Sequence, residues 1–196
     1  MSRDVTLYYD FVSPYSYLAY TQLAALKERT GANILLKPIH VLTVMERVGN
    51  TPTTATCKAK GEYARADLAR WAVHYKTLIN PHPKFGMFST EPFLLAALAA
   101  ESRGQLEIFS EAAFEAVWLH QADLENSSAI VDWLSAAGVR DAGEIWAHRQ
   151  DFKPRLEAIH QAAIADGVFG VPSFKTVQNL YFGNDRLQFL EAELAL

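Results

Sequence analysis

The chain has 196 residues, half of them hydrophobic and a fifth charged, with a formal net charge of −4. That length buries a sizeable core in one large domain, or in one domain carrying an insertion. The dispersed, slightly acidic charge excludes a basic nucleic-acid surface, and the single cysteine, Cys57, excludes a disulfide framework.

Residues 5–12 read as a strand, rich in β-branched and aromatic side chains and too apolar to be covered on one face only. Ser13-Pro14 then opens a helix, with a hydroxyl at the N-cap and proline at the first helical position. The helix is expected to run to about Thr30, where Gly31 ends it. A second strand follows over residues 33–40. Strand, helix and strand within about forty residues make a βαβ unit with a parallel pair. The next stretch has helical period over residues 58–76, 92–103, 106–121 and 127–136. Asn126 reads as an N-cap, Gly138 as a helix end and Asp141 with Glu144 as a capping box. A further helix covers residues 154–166, and no strand is expected between 42 and 166. Two short apolar runs, 172–177 and 180–182, flank Gln178-Asn179 and read as a β-hairpin. Asn184-Asp185 is expected to cap a closing helix over 186–195.

The order is therefore βαβ, helical block, ββα. Each end is too small to fold alone, and together they form a sheet carrying helices. The expected class is α/β: a thioredoxin fold formed by residues 1–41 plus 167–196, with an all-helical domain inserted at 42–166. Residues 1–10 lack the basic region and apolar run of a secretory signal. No apolar run is long enough to span a bilayer. The expected location, by elimination, is cytoplasmic.

Ser13-Pro14-Tyr15-Ser16 sits where thioredoxin-like oxidoreductases place a C-x-x-C pair, because a helix N-terminus stabilises a thiolate. Serine cannot exchange disulfides, so a working site here must stabilise a thiolate supplied from outside, and glutathione is the obvious supply. Ser13 would donate a hydrogen bond to its sulfur. The plain alternative is that Ser-Pro merely starts a helix. Later, Gly167 to Phe174 places Pro172 just before a strand. A cis bond at Val171-Pro172 would let the Val171 backbone pair with an extended peptide; a strand-initiating proline is the plain alternative. The six histidines have no metal-ligand spacing. His82 reads as a loop residue, Cys57 as incidental, and Tyr63, Trp71, Trp118 and Trp133 as core residues.

Three motifs in order, D-F-x-S-P-Y-S-Y from Asp10, G-V-F-G-V-P-S-F from Gly167 and G-N-D-R-L-x-F-L from Gly183, carry a specific resemblance. Gly49-Asn50-Thr51-Pro52, Lys60-Gly61-Glu62-Tyr63 and the segment from Asp67 to Ala72 extend it over nearly the whole chain. The sequence resembles the 2-hydroxychromene-2-carboxylate isomerases and their siblings, the kappa-class glutathione transferases, within the DsbA-like group. The resemblance implies that Ser13 faces the glutathione sulfur and that Val171, before cis Pro172, holds the cysteinyl part. It implies that Asn184 and Asp185 grip the γ-glutamyl end, and that Asn50, Lys60 and Tyr15 complete the glutathione site, Lys60 meeting the glycyl carboxylate. Without it, Asn184-Asp185 is a helix cap and Lys60 a solvated lysine.

The chain departs from the isomerase pattern on the substrate side. Gly86-Met87-Phe88-Ser89-Thr90 stands where a P-M-N-T stretch is usual, and Ala96-Ala97-Leu98 replaces an A-x-R. A polar contact and a cation that suit a carboxylate substrate are missing. The expected function is a glutathione-dependent isomerase acting by reversible thiolate addition to a conjugated keto acid. The alternative is a kappa-like transferase or peroxidase conjugating a small aromatic or otherwise electrophilic substrate; a third reading is a non-catalytic binder. The expected partners are glutathione and that second substrate, with no nucleic acid, metal or membrane, and the expected assembly is a homodimer.

Overall fold

The computed structural model describes residues 3–195. Strand β1 (Asp4–Tyr9) lies at the middle of a four-stranded sheet. It pairs in parallel with β2 (Asn33–Pro38) and antiparallel with β3 (Ser173–Lys175), which pairs antiparallel with β4 (Leu180–Phe182). The spatial order is β2-β1-β3-β4. Leu7 faces Leu36 on one side and Phe174 on the other, so the apolar reading of β1 matches burial between neighbours.

Between β1 and β2 the chain forms α1 (Pro14–Tyr20) and α2 (Leu23–Thr30) rather than one continuous helix. The break falls at Thr21-Gln22. The Thr21 hydroxyl donates to the Leu18 carbonyl at 2.7 Å, the local side-chain bonding by which threonine competes with helix propagation. Gly31 closes α2 in the left-handed conformation, φ 67°. The strands are also shorter than expected. Asp10 to Val12 turns instead of extending β1, and β2 ends at Pro38, with the Ile39 amide still donating to the Tyr9 carbonyl at 2.9 Å.

The segment between β2 and β3 is helical, as expected, and among the described residues it contains no strand. It comprises α3 (Val41–Arg47), α4 (Thr53–Thr56), α5 (Lys58–His74), α6 (Glu91–Glu101), α7 (Leu106–Trp118), α8 (Ser127–Ala136), α9 (Ala142–Ala147), a 3₁₀ turn (Arg149–Phe152) and α10 (Lys153–Ala165). Every residue of α6 from Phe93 to Ala100 is buried, so this helix is apolar all round and forms the middle of the block. The Trp118 indole at the end of α7 donates to the Phe11 carbonyl at 2.8 Å, tying the block to the turn after β1. By contrast, α5 buries only Ala72.

Asn126 caps α8 as expected, accepting from the Ser128 and Ala129 amides. Asp141 does not form a capping box. It adopts the left-handed conformation, φ 54°, which turns its side chain from the helix, and the carboxylate meets Arg103 at 3.3 Å. The hairpin turn is longer than Gln178-Asn179 alone, because the Thr176 hydroxyl accepts from both of their amides. Asn184 and Asp185 do not cap a helix with their side chains. They begin a 3₁₀ turn (Asn184–Arg186) that runs into α11 (Leu187–Leu194). No described helix is long and apolar enough to cross a membrane.

Candidate active site

The turn between β1 and α1 presents Ser13. Its amide donates to the Asp10 carbonyl at 3.1 Å, and its backbone, φ −92° and ψ 116°, has the extended form of an N-cap. The Ser13 Oγ accepts the Ser16 amide at 3.1 Å. Its own proton is directed at the Val171 carbonyl at 3.5 Å, the outer limit of a hydrogen bond, and is weakly engaged there. Because α1 has only seven residues, negative charge at this point is stabilised by the hydroxyl and nearby amides rather than by a long helix dipole.

The opposite wall is the segment from Phe169 to Pro172. The Val171-Pro172 peptide is cis. Among the described residues the Val171 amide has no partner, while the Pro172 carbonyl accepts from Gly183 at 2.9 Å. Asn50, after α3, braces this wall. Its Nδ2 donates to the Phe169 carbonyl at 2.7 Å and its Oδ1 accepts the Thr51 amide. Both ends of the Asn50 amide are thus engaged by backbone.

A third wall is the turn after β4. Asn184 is 3 % exposed, and its carbonyl accepts the Tyr75 hydroxyl at 2.8 Å. Its side-chain Nδ2 is buried with no partner, as is the Ser16 Oγ on the neighbouring helix. An orphaned donor of this kind is costly unless something answers it. Asp185 lies beside it, 3.1 Å from Arg186. Gly183 precedes it at φ 101°, a backbone form that favours glycine, and a Cβ there would also displace the Asp185 carboxylate.

Tyr15 and Lys60 meet at a cavity of about 400 Å³ that is also lined by Thr54, Ala59, Tyr63 and Ala64. The Tyr15 hydroxyl lies 3.3 Å from both the Ala64 carbonyl and the Asp67 carboxylate. Burial, then the Asp67 charge and hydrogen bond, push its phenol up to about 12, with a smaller contribution from Asp185. It therefore stays protonated at neutral pH and acts as a donor. Lys60 is exposed and has no ion-pair partner among the described residues. Tyr63 is 65 % exposed, so it edges this cavity instead of joining the core; Trp118 is buried as expected.

The structure thus sets Ser13 against Val171, and ties Pro172 to Gly183, the residue before Asn184 and Asp185. Lys60 joins through Tyr15, and Asn50 only as a brace to Phe169. Sequence reading missed Asp10, Thr54, Asp67, Tyr75 and Thr90. Only Asp10 left a signal, an acid inside an otherwise apolar run. His82 is a loop residue, but a buried one. One ring nitrogen is 3.0 Å from the Ala122 carbonyl and the other accepts the Lys84 amide.

Residues 4–195 match the model of the DSBA-like thioredoxin domain. The chain is 31% identical over 196 residues to 2-hydroxychromene-2-carboxylate isomerase of Sphingobium xenophagum, covering 99% of both chains. It is 28% identical over 210 residues to glutathione S-transferase kappa 1 of Rattus norvegicus, covering 96% of this chain and 89% of that one. Among solved structures it is similar to a 2-hydroxychromene-2-carboxylate isomerase, with a TM-score of 0.86, 27% identity, and 97% and 94% coverage.

Proposed function

We propose that this chain, which belongs to the DSBA-like thioredoxin family together with the 2-hydroxychromene-2-carboxylate isomerases and kappa glutathione transferases, is a glutathione-dependent isomerase of the 2-hydroxychromene-2-carboxylate type. The observation that carries this is the Ser13 hydroxyl, weakly held by the Val171 carbonyl, facing a Val171 amide that has no partner among the described residues, with a buried, unpartnered Asn184 Nδ2 on the turn beyond Gly183. These residues fit glutathione. The Val171 backbone would pair with its cysteinyl unit. Asn184 and Asp185 would hold the γ-glutamyl carboxylate and ammonium, and Lys60 the glycyl carboxylate. Tyr15 would close the side between them, and Asn50 keeps the Val171 wall in place.

Glutathione held by these residues would supply a thiolate for reversible addition to a conjugated keto acid. Ser13 turns its proton from the Val171 carbonyl toward that negative charge, and keeps the Ser16 amide on its other lone pair. Tyr15 offers a proton-bearing hydroxyl and removes none. With serine at 13 and 16, the chain has no cysteine pair for disulfide exchange at this point. The reading includes a cytoplasmic location, a homodimer, and the division into residues 1–41 plus 167–196 and an insertion at 42–166.

A second reading, a kappa-like transferase or peroxidase, is favoured by the substrate side. Phe85 and Met87 are exposed there, and Lys84 is paired with Glu125. The test is calorimetric titration with glutathione, followed by incubation with 2-hydroxychromene-2-carboxylate. Isomer formed with glutathione recovered supports the isomerase. A glutathione conjugate accumulating with an electrophile supports the transferase. Binding without turnover of any electrophile leaves a binder, and absence of glutathione binding refutes all three.

A further inference from the structure

Asp10 is fully buried, yet it is one of the best-connected side chains in the molecule. Its Oδ1 accepts the Val12 amide at 3.1 Å and the Thr90 hydroxyl at 2.7 Å. Its Oδ2 accepts the Val41 amide at 2.9 Å. Val12 belongs to the turn before Ser13, Val41 is the first residue of α3, and Thr90 immediately precedes α6. Burial pushes the carboxyl above the usual carboxylate range, while these three hydrogen bonds and nearby His40 pull it back. Each oxygen faces a backbone N–H, and the Thr90 hydroxyl adds a third contact.

The cage fixes a short stretch of chain at each residue. The Asp10 carbonyl accepts the Ser13 amide, the Phe11 carbonyl accepts the Trp118 indole and the Val12 amide is held by Asp10 itself. Next in line is the Ser13 hydroxyl, set 3.5 Å from Val171 across the opening. We infer that Asp10 is a positioning residue, which through Val12, Val41 and Thr90 fixes the Ser13 hydroxyl relative to the Val171 wall; this rests on the glutathione reading of the site. The purpose is geometric. A hydrogen bond to a thiolate is lost by small displacements, and a shift of about 1 Å at a reacting group costs roughly a hundredfold in rate.

The experiment compares wild type with Thr90→Val, Thr90→Ser and Asp10→Asn. Thr90→Val keeps the shape and removes one donor, Thr90→Ser keeps the donor, and Asp10→Asn sets an amide NH₂ against a backbone N–H. Glutathione binding is read by calorimetry, and the thiol pKa of the complex by ultraviolet thiolate absorbance. At a pH below the thiol pKa of the wild-type complex, Thr90→Val should keep the affinity within about twofold and raise the thiol pKa, leaving about tenfold less thiolate. Thr90→Ser should restore the wild-type value, and Asp10→Asn, if it folds, should exceed Thr90→Val. A wild-type thiolate fraction in Thr90→Val, or an equal loss of affinity at that same low pH, overturns the inference. Hydrogen exchange separates it from the wider reading. If wild type binds no glutathione, the glutathione reading falls. Asp10 is then judged by the Val12 and Ser16 amides, which should lose protection in Thr90→Val and not in Thr90→Ser, with β1 and β2 unchanged. Equal protection in wild type, Thr90→Val and Thr90→Ser overturns the positioning role.

Discussion

Replacing Ser13 by alanine removes one oxygen with two separable duties. As the N-cap of α1 it accepts the Ser16 amide at 3.1 Å, and loss of such a cap costs about 1 kcal/mol. For a chain of this size that lowers Tm by about 2–4 °C. The second duty is to donate to the bound thiolate. A hydrogen bond to a charged group contributes about 1.5–3 kcal/mol net. At about 1.4 kcal/mol per pKa unit, the thiol of bound glutathione should rise by one to two units. Glutathione affinity should change little at pH below the thiol pKa of the complex, where the bound thiol is protonated and the tripeptide keeps its backbone and terminal contacts. The assay is thiolate absorbance of the complex across pH, with calorimetry for affinity and a thermal melt for the cap. Ser13→Thr serves as the control, since threonine keeps the hydroxyl and also caps helices. An unchanged thiol pKa in Ser13→Ala, with the Tm lowered as expected, would falsify the catalytic role and leave Ser13 as a cap.

Asp185→Ala should weaken glutathione binding by about fivefold, the modest value expected for a half-exposed ion pair; equal affinity by calorimetry counts against the γ-glutamyl assignment. Trp118→Phe leaves the Phe11 carbonyl without its donor in the core, at a cost of about 2 kcal/mol. The melt should fall by about 4–8 °C, and an unshifted Tm refutes the tie between α7 and the β1–α1 turn. His160 accepts the His40 amide on Nε2, and burial holds its pKa below the usual 6.5. Its folded form resists protonation, so stability should fall as pH drops below about 6.5, where the unfolded chain takes up the proton. His160→Gln should flatten that part of the stability profile, and an identical profile refutes the assignment. Glu157 lies in the opposite case. The hydrogen bonds from Arg47, and then Gln161, hold its carboxyl down at about 2. Its contribution is present above the unfolded value of 4.5 and is lost as pH falls toward 2, so wild type and Glu157→Gln should converge in Tm across that window; a gap constant with pH sinks it.

Much of the fold was legible because it is written locally. The apolar run before Ser13, the Ser-Pro helix start, Gly31 and the N-cap Asn126 act within a few residues of themselves; the run forms a strand, though a shorter one than expected, and the other three have the form expected of them. The errors have separate physical origins. Asp141, Asn184 and Asp185 have the right side chains to cap a helix, but capping needs an extended backbone, and at Asp141 the chain is left-handed. Thr21 divides what reads as a single amphipathic helix by a bond that periodicity does not register. Tyr63 has core chemistry and helical spacing, yet α5 packs so little of its surface that the ring stays exposed.

What the sequence determined by itself is the order of elements and the residue types at the site: a hydroxyl where a thiol might stand, a proline before a strand, an acid after Gly183. Periodicity and capping are short-range effects, so they can be read without knowing what lies across the molecule. Only the tertiary structure decided that Ser13 and Val171, 158 positions apart, face each other at 3.5 Å. It also decided that the Asn50 amide is engaged by the wall it supports, and that Asp10 is held by donors from three separate segments. Those relations follow from packing α3, α6 and α7 against the ends of β1 and β2. Which buried donor meets which acceptor there is settled by the closure of the whole core, which no local stretch encodes.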